Sequence, residues 1–335
     1  MSEVIIIGGG PAGLNCAYYL AKSGKDVILL EKHAFPVDKL CAGGLTVKDF
    51  EELPKDIIER AFVTQIIHTP LGKTTFKTSK PVIFTVNRRV LNKWLFERAK
   101  KAGTKIEKEK VIKINRNIII TKNGRQYNYC YLVGADGSTS IVRRHLNIPT
   151  KYAFIAWQTS IPFPLKDIEW FLDANVFGFG YGWIFPHKKS TVIGFVCSNP
   201  KNIFKAKTGF LHWLKKTHAL VINSPFKPYL INTDYRGHHF GRIFLAGDAA
   251  GLASGLTGEG IYFALGSGRS IAQMILSKSN GQNLYNNLLK VKYRHQKAAR
   301  ALKCLPLPLL NTFFECFRNG LKIAFCRELI FKRYG

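Results

Sequence analysis

Apolar and polar positions alternate along this chain in a pattern that changes period several times. Residues 4–7 are four β-branched residues running into three glycines, which predicts a buried strand ending at a turn. A helix over 11–23 and a second strand over 26–30 complete a βαβ opening. Helical spacing returns over 90–102, followed by strand-like stretches over 104–121 and a short apolar strand at 131–134. From 152 to 196 the pattern is almost entirely strand-like. A buried strand over 243–246 and a helix over 260–276 follow. The order predicts an α/β fold (α+β overall), with a Rossmann-like dinucleotide-binding domain, an inserted antiparallel β-sheet domain and a C-terminal helical segment. The expected boundaries are 1–60, 82–150 and 234–300 for the discontinuous nucleotide domain, 61–81 and 151–233 for the sheet domain, and 301–335 for the last segment.

Three glycine-rich loops punctuate this pattern. In the first, Gly8, Gly10 and Gly13 have the G-x-G-x-x-G spacing between strand and helix. Gly8 permits the turn, Gly10 lets the backbone approach a pyrophosphate, and Gly13 allows close helix–strand packing. The helix start supplies N–H donors for the phosphates. Glu31, at the end of the second strand, can accept from both ribose hydroxyls of an adenosine and would repel a 2′-phosphate, which suits FAD or NAD and not NADP. The second loop is Asp136-Gly137, leading to Ser140, Arg143 and Arg144. In the third, Asp248 stands at a strand end where it can bond a ribityl hydroxyl. The loop 255–260 then opens a helix whose dipole can face the pyrimidine edge of a flavin and favour its anionic reduced form. Gly266 and Gly268, inside that helix, are expected to serve close packing.

These three loops, in this order, resemble the flavoproteins built like p-hydroxybenzoate hydroxylase, and within them the geranylgeranyl reductase family. The narrower resemblance rests on KLCAGGL at 39–45 and YGWIFP at 181–186. It covers about residues 1–275 and implies an FAD-dependent oxidoreductase that reduces carbon–carbon double bonds of an isoprenoid lipid. Cofactor contacts are implied for Gly8, Gly10, Ala12, Gly13, Glu31, Lys32, Gly43, Gly44, Arg88, Asp136, Asp248, Gly258, Gly260 and Ile261. Cys41 is the candidate catalytic residue, as a proton donor, a group tuning the flavin or a pocket wall. The chain departs from the family at Asn92, where Asp is usual, and at Ala42, where glycine is usual. Two other function classes stay open: an FAD-dependent monooxygenase or halogenase, and a membrane-associated electron-transfer flavoprotein.

Residues 177–185 alternate aromatic with small or apolar residues: Phe177, Phe179, Tyr181, Trp183 and Phe185, with Gly178, Gly180 and Gly182 between them. As one strand this gives an aromatic face and a bare face. Phe179, Tyr181, Trp183 and Phe185 are therefore candidate substrate-binding residues, against the alternative that they form the core of the second sheet.

Composition narrows the rest. Lys and Arg total 50 against 21 Asp and Glu, a net charge of +29, which attracts polyanions. No nucleic-acid fold signature accompanies it. An anionic membrane surface, an acidic redox partner and a phosphorylated substrate are the matching partners. The electron donor is open among NAD(P)H, ferredoxin and a quinol. Seven scattered cysteines fit a reducing compartment, and none has metal-site spacing, so no metal is expected. No apolar run reaches the roughly 18 residues needed to span a bilayer, and the N-terminal apolar run enters a glycine loop rather than a cleavage site. A cytoplasmic protein, peripheral on the inner membrane face, is expected. The last segment predicts an amphipathic helix after Pro306 and Pro308, with Thr312 and Glu315 as a capping box. Leu310, Phe313, Phe314, Phe317, Leu321 and Phe325 would share its apolar face, opposite Arg318 and Lys322. That face either docks in a membrane interface or packs on the second domain.

Overall fold

The structure is a computed structural model, which describes residues 2–37, 39–47, 53–324 and 327–328. The chain forms two compact units: Met1–Lys39, Arg88–Ala153 and Leu230–Gln296 make the first, and Leu40–Asn87, Phe154–Tyr229 and Lys297–Gly335 the second.

The first unit is built on a sheet whose path runs His239–Phe240, Ile243–Leu245, Gln126–Gly134, Ser2–Ile7, Val27–Glu31, Lys105–Lys108. From Ile243–Leu245 to Lys105–Lys108 all neighbours are parallel, and the β-branched run at its centre is buried on both faces. Ile118–Thr121 and Val111–Asn115 branch off as an antiparallel ribbon. Helices Pro11–Lys22 and Ile261–Ile275 pack through small residues, as Gly266 and Gly268 led one to expect. A Cβ on Gly268 would strike the Ala12 carbonyl, and one on Gly266 would lie 2.8 Å from Leu288. Asn15 Nδ2 donates across the same contact to the Leu265 carbonyl at 2.8 Å.

The second unit holds a seven-stranded sheet in the order Lys227–Asn232, Ala153–Ile161, Thr191–Val196, Tyr181–Pro186, Ile168–Phe171, Thr64–Thr69, Gly72–Lys77. Ile168–Phe171 runs parallel to Thr64–Thr69, while the pairs flanking it are antiparallel. The Ile203–His218 helix covers one face through Phe210, Trp213 and Leu214. A small sheet joins Gly44–Thr46, Ile83–Val86 and Ile58–Phe62.

Two expectations need correction here. The 177–185 stretch is not one strand. Phe177 ends a helical turn, Ala174–Phe177, and Gly178 takes φ +60, a left-handed conformation. The strand is Tyr181–Pro186. The turn forms because Asp173 caps it, accepting from Asn175 N at 2.8 Å, a local competition that alternation alone does not reveal. The supposed bare face is occupied: a Cβ on Gly182 would lie 2.5 Å from the Phe210 ring, and one on Gly180 would strike the Val196 carbonyl.

The last helix, Leu307–Gly320, starts five residues before Thr312, so Thr312 and Glu315 form no capping box. Thr312 Oγ1 bonds back to the Pro308 carbonyl at 3.1 Å. Glu315 instead ties the helix to the Thr64–Thr69/Gly72–Lys77 hairpin, accepting from Thr69 Oγ1 at 2.8 Å and Leu71 N at 3.0 Å. Arg318 is on the packed face, not opposite it: it is buried and bonds Glu315 and Thr74. Leu310, Phe314 and Leu321 are buried beside it, whereas Phe313 stays 40% exposed. Packing on the second unit is thus what the buried face does. Phe325 lies outside the described residues. Among the described residues, no helix is long and apolar enough to cross a membrane.

Candidate active site

In the first unit each glycine of the opening loop meets a different surrounding. Gly8 has φ +110, and a Cβ there would strike the Ala135 carbonyl. A Cβ on Gly13 would strike the Gly8 carbonyl, so only glycine lets the helix sit this close to the strand. Around Gly10 there is nothing within 4 Å of where a Cβ would be. Gly10 is also the N-cap of the first helix and Gly260 that of the Ile261–Ile275 helix, and among the described residues neither helix start is capped by a side chain. The first N–H groups of a helix have no partner within the helix itself and can meet an anion. This fits the pyrophosphate-bearing cofactor expected from the sequence: there is open space at Gly10, with a helix start and its positive dipole end beside it.

Glu31 is buried, with Oε2 accepting from Gly9 N at 2.7 Å and Oε1 from His33 N at 2.9 Å. The carboxylate thereby fixes the first loop and keeps lone pairs for hydroxyl donors. Lys32 beside it is exposed, and Ala12 and Ile261 are buried in their helices. Arg88 is partly buried at the start of helix Arg88–Lys101. One turn on, the fully buried Asn92 donates from Nδ2 to the Val37 carbonyl at 2.6 Å. An ionised aspartate could not donate that bond.

The second motif braces the third. Asp136 Oδ2 accepts from Ile141 N at 2.6 Å and Ser140 Oγ from Arg143 N at 2.9 Å, so the short helix Ile141–His145 is capped from both. Burial pushes the Asp136 carboxyl above its ordinary value. Buried Arg143 donates to the Asp234 carbonyl at 2.8 Å, the Pro149 carbonyl at 2.9 Å and the Ala249 carbonyl at 3.3 Å. Ser138 Oγ lies 3.2 Å from Asp248 Oδ2, and Lys39 Nζ 3.3 Å from the same atom. Asp248 Oδ1 stands 3.5 Å from where a Gly260 Cβ would be. The carboxylate and the open helix start thus share one spot, next to Gly258 at φ +70.

The second unit gathers the other candidates. Tyr181, Trp183 and Phe185 line one side of their strand, and Trp170 of the next strand packs among them, 5.6 Å from Tyr181 and 5.2 Å from Phe185 between ring centres. Trp183 and Phe185 are buried and Tyr181 is partly exposed. Trp183 Nε1 is buried without a hydrogen-bond partner among the described residues. Phe179 lies apart from the strand and packs beside Leu310 and Phe314 of the last helix.

The loop of Cys41 lies on this strand. A Cβ on Gly44 would be 2.5 Å from the Phe185 ring, and one on Gly43 (φ +72) would be 2.7 Å from His187. Half-buried Cys41 accepts at Sγ from Gly43 N at 3.3 Å. Sequence reading missed His187, which is buried with Nδ1 2.5 Å from Glu59 Oε2 and Nε2 3.0 Å from the Ala42 carbonyl. Both ring nitrogens thus face oxygen atoms of other elements, which holds the ring in place. Its position directly after YGWIFP was the one available signal. Among the described residues no cluster could hold a metal ion.

A family model described as an FAD binding domain matches residues 1–160. An uncharacterised protein of Methanosarcina barkeri is 32% identical over 325 residues, covering 90% of this chain and 81% of that protein. A geranylgeranyl diphosphate reductase of Synechocystis sp. is 28% identical over 319 residues, covering 83% and 76%. In structure, the geranylgeranyl bacteriochlorophyll reductase-like protein of Thermoplasma acidophilum matches with a TM-score of 0.79 at 20% identity, over 99% of this chain and 96% of that one.

Proposed function

Because this chain belongs to the geranylgeranyl reductase family of FAD-dependent oxidoreductases, we propose that it reduces carbon–carbon double bonds in the isoprenoid chain of a lipid or diphosphate. The unit carrying the three glycine loops holds FAD, through Gly8, Gly10, Ala12, Gly13, Glu31, Lys32, Arg88, Asp136, Asp248, Gly258, Gly260 and Ile261. The other unit takes the substrate and presents Gly43, Gly44 and Cys41.

The observation that carries the reading is the cluster of Trp170, Tyr181, Trp183 and Phe185 against the Cys41 loop. An isolated alkene is not electrophilic. It accepts hydride only if a proton is delivered to one carbon while positive character at the other is stabilised. Aromatic faces supply that stabilisation without offering a nucleophile, and the same rings exclude water. Bound FAD, when reduced, supplies the hydride. Cys41 is the proton-bearing candidate on this loop, and His187 with Glu59 fixes the Ala42 carbonyl and so the loop's shape. Phe179 extends the apolar surface toward the last helix.

The basic charge and the exposed Leu307, Leu309 and Phe313 of the last helix suit an anionic membrane surface. The same charge suits an acidic electron donor.

The test is anaerobic. The protein with FAD is reduced by dithionite and given geranylgeranyl diphosphate or a geranylgeranyl lipid. The expected result is product mass rising in steps of two hydrogens as flavin is reoxidised. Reoxidation that needs both substrate and oxygen would replace this reading with a monooxygenase or halogenase.

A further inference from the structure

The Asn280–Lys303 helix carries Lys292 and His295 one turn apart, and both are fully buried against the third glycine loop. Lys292 Nζ donates to the Thr233 carbonyl at 2.9 Å and the Ala253 carbonyl at 2.5 Å. Its hydrogen-bond partners among the described residues are these two neutral groups. The nearby carboxylates are engaged elsewhere: Asp234 with Arg236 Nε at 2.9 Å and Lys151 N at 2.8 Å, Asp248 with Ser138 and Lys39. They attract Lys292 without bonding it. Burial lowers its ammonium to about 8, with Asp248 and Asp234 opposing the fall, so the group is charged at neutral pH.

His295 does a different task. Ser254 Oγ accepts from Leu256 N at 3.2 Å and Thr257 N at 3.0 Å, which uses its lone pairs. Its single proton is then directed to His295 Nδ1, 2.9 Å away. Ser254 N also donates to the Glu259 carbonyl at 2.8 Å. The imidazole therefore fixes the shape of the loop, while the lysine places its Nζ behind it.

A buried ammonium is costly, and two carbonyls are satisfied as well by an uncharged amide. The charge itself calls for an explanation. We propose that Lys292 is the buried cation that favours the reduced, negatively charged form of FAD held at the 253–260 loop. This rests on the reading above that the loop faces the flavin.

The test uses the FAD-loaded protein with Lys292→Gln and Lys292→Met, and reads the midpoint potential of bound FAD and the dissociation constant of oxidised FAD. Gln keeps an N–H for a carbonyl and Met keeps none, but both remove the charge. The expected result is that both lose at least tenfold in affinity for reduced relative to oxidised FAD, a potential lower by about 30 mV or more for a two-electron couple. Gln leaving the potential at its wild-type value would reduce Lys292 to a structural donor and overturn the proposal. A wild-type potential below that of free FAD also overturns the proposal, since the reduced form would then not be favoured at all. Gly260→Val tests the premise separately, since that side chain would enter the loop site. Unchanged FAD affinity in it means that the loop is not at the flavin. Lost affinity there, with an unmoved potential in the Lys292 variants, sinks the lysine proposal alone.

Discussion

Gly10 in the first unit and Gly182 in the second both lack a side chain beside a surface that matters, yet their surroundings are opposite. Nothing stands within 4 Å of the place a Cβ would take on Gly10. On Gly182 that place is 2.5 Å from the Phe210 ring and 3.3 Å from Phe177. The first glycine leaves open space, and the second admits the protein's own core. Glycine marks a close approach in both, and only the partner differs. What approaches depends on the next element: an uncapped helix start at Gly10, and a helix packed across the sheet at Gly182.

Valine at each position is the most direct way to break the contrast. Gly10→Val is expected to fold with near wild-type stability and to lose more than about a hundredfold in FAD affinity, since the side chain fills the approach to the helix start. Gly182→Val is expected to lose about 1–3 kcal/mol of stability through overpacking, with FAD affinity of the folded protein unchanged. Denaturant unfolding and flavin titration on both variants check this. Equal loss of FAD affinity in the two would erase the distinction.

That contrast also marks how far the sequence could be read. The first loop was legible because strand, glycine spacing, helix and Glu31 are all local, and each restricts the next. The α/β order and the helix at Ile261–Ile275 followed from the same local periodicity. The second unit was harder. Alternation over 177–185 suggested one strand, but Asp173 caps a helical turn that consumes Phe177, and an αL glycine redirects the chain. His187 and Lys292 were hidden for another reason. Their meaning comes from Glu59 and Ala42 in one case and Thr233 and Ala253 in the other, all distant in sequence. Lys292 also sits in the basic run KVKYRHQK, which looks like a solvated helix face.

Charge sharpens the comparison of the two units. In the first, Lys292 Nζ meets two carbonyls among the described residues. In the second, buried Glu169 meets two imidazoles, His68 Nε2 at 2.6 Å and His218 Nε2 at 3.2 Å, with Trp213 packed on both rings. Burial alone would raise the Glu169 carboxyl, but His218 and His68 outweigh it and hold the group at about 2 against an ordinary 4.5. A depressed carboxylate stabilises the fold fully above the unfolded value. The contribution is therefore present above pH 4.5 and lost as pH falls toward 2. Its size is on the order of 3 kcal/mol. Acid unfolding followed by tryptophan fluorescence should show this limb in the wild type and a flatter one in Glu169→Gln. An unchanged limb would mean that the histidines do not hold the carboxylate.

The smallest expected effect concerns the last helix, where the two residues of the supposed capping box have parted company. Glu315 receives Leu71 N and Thr69 Oγ1 from the hairpin and Arg318 Nε from its own helix, and these hold its carboxyl below the ordinary value against burial. Removing it leaves buried Arg318 with Thr74 and leaves the hairpin N–H without its acceptor. Glu315→Ala is therefore expected to cost about 1–2 kcal/mol. Thr312 is exposed in mid-helix and bonds only its own turn, so Thr312→Ala should change stability by less than about 0.5 kcal/mol. A true cap would lose about 1 kcal/mol on the same change. Thermal unfolding of the pair separates the cases: equal losses would restore the capping box, whereas a loss confined to Glu315 fixes the helix as packed on the hairpin by a side chain that reads, in sequence, as a cap.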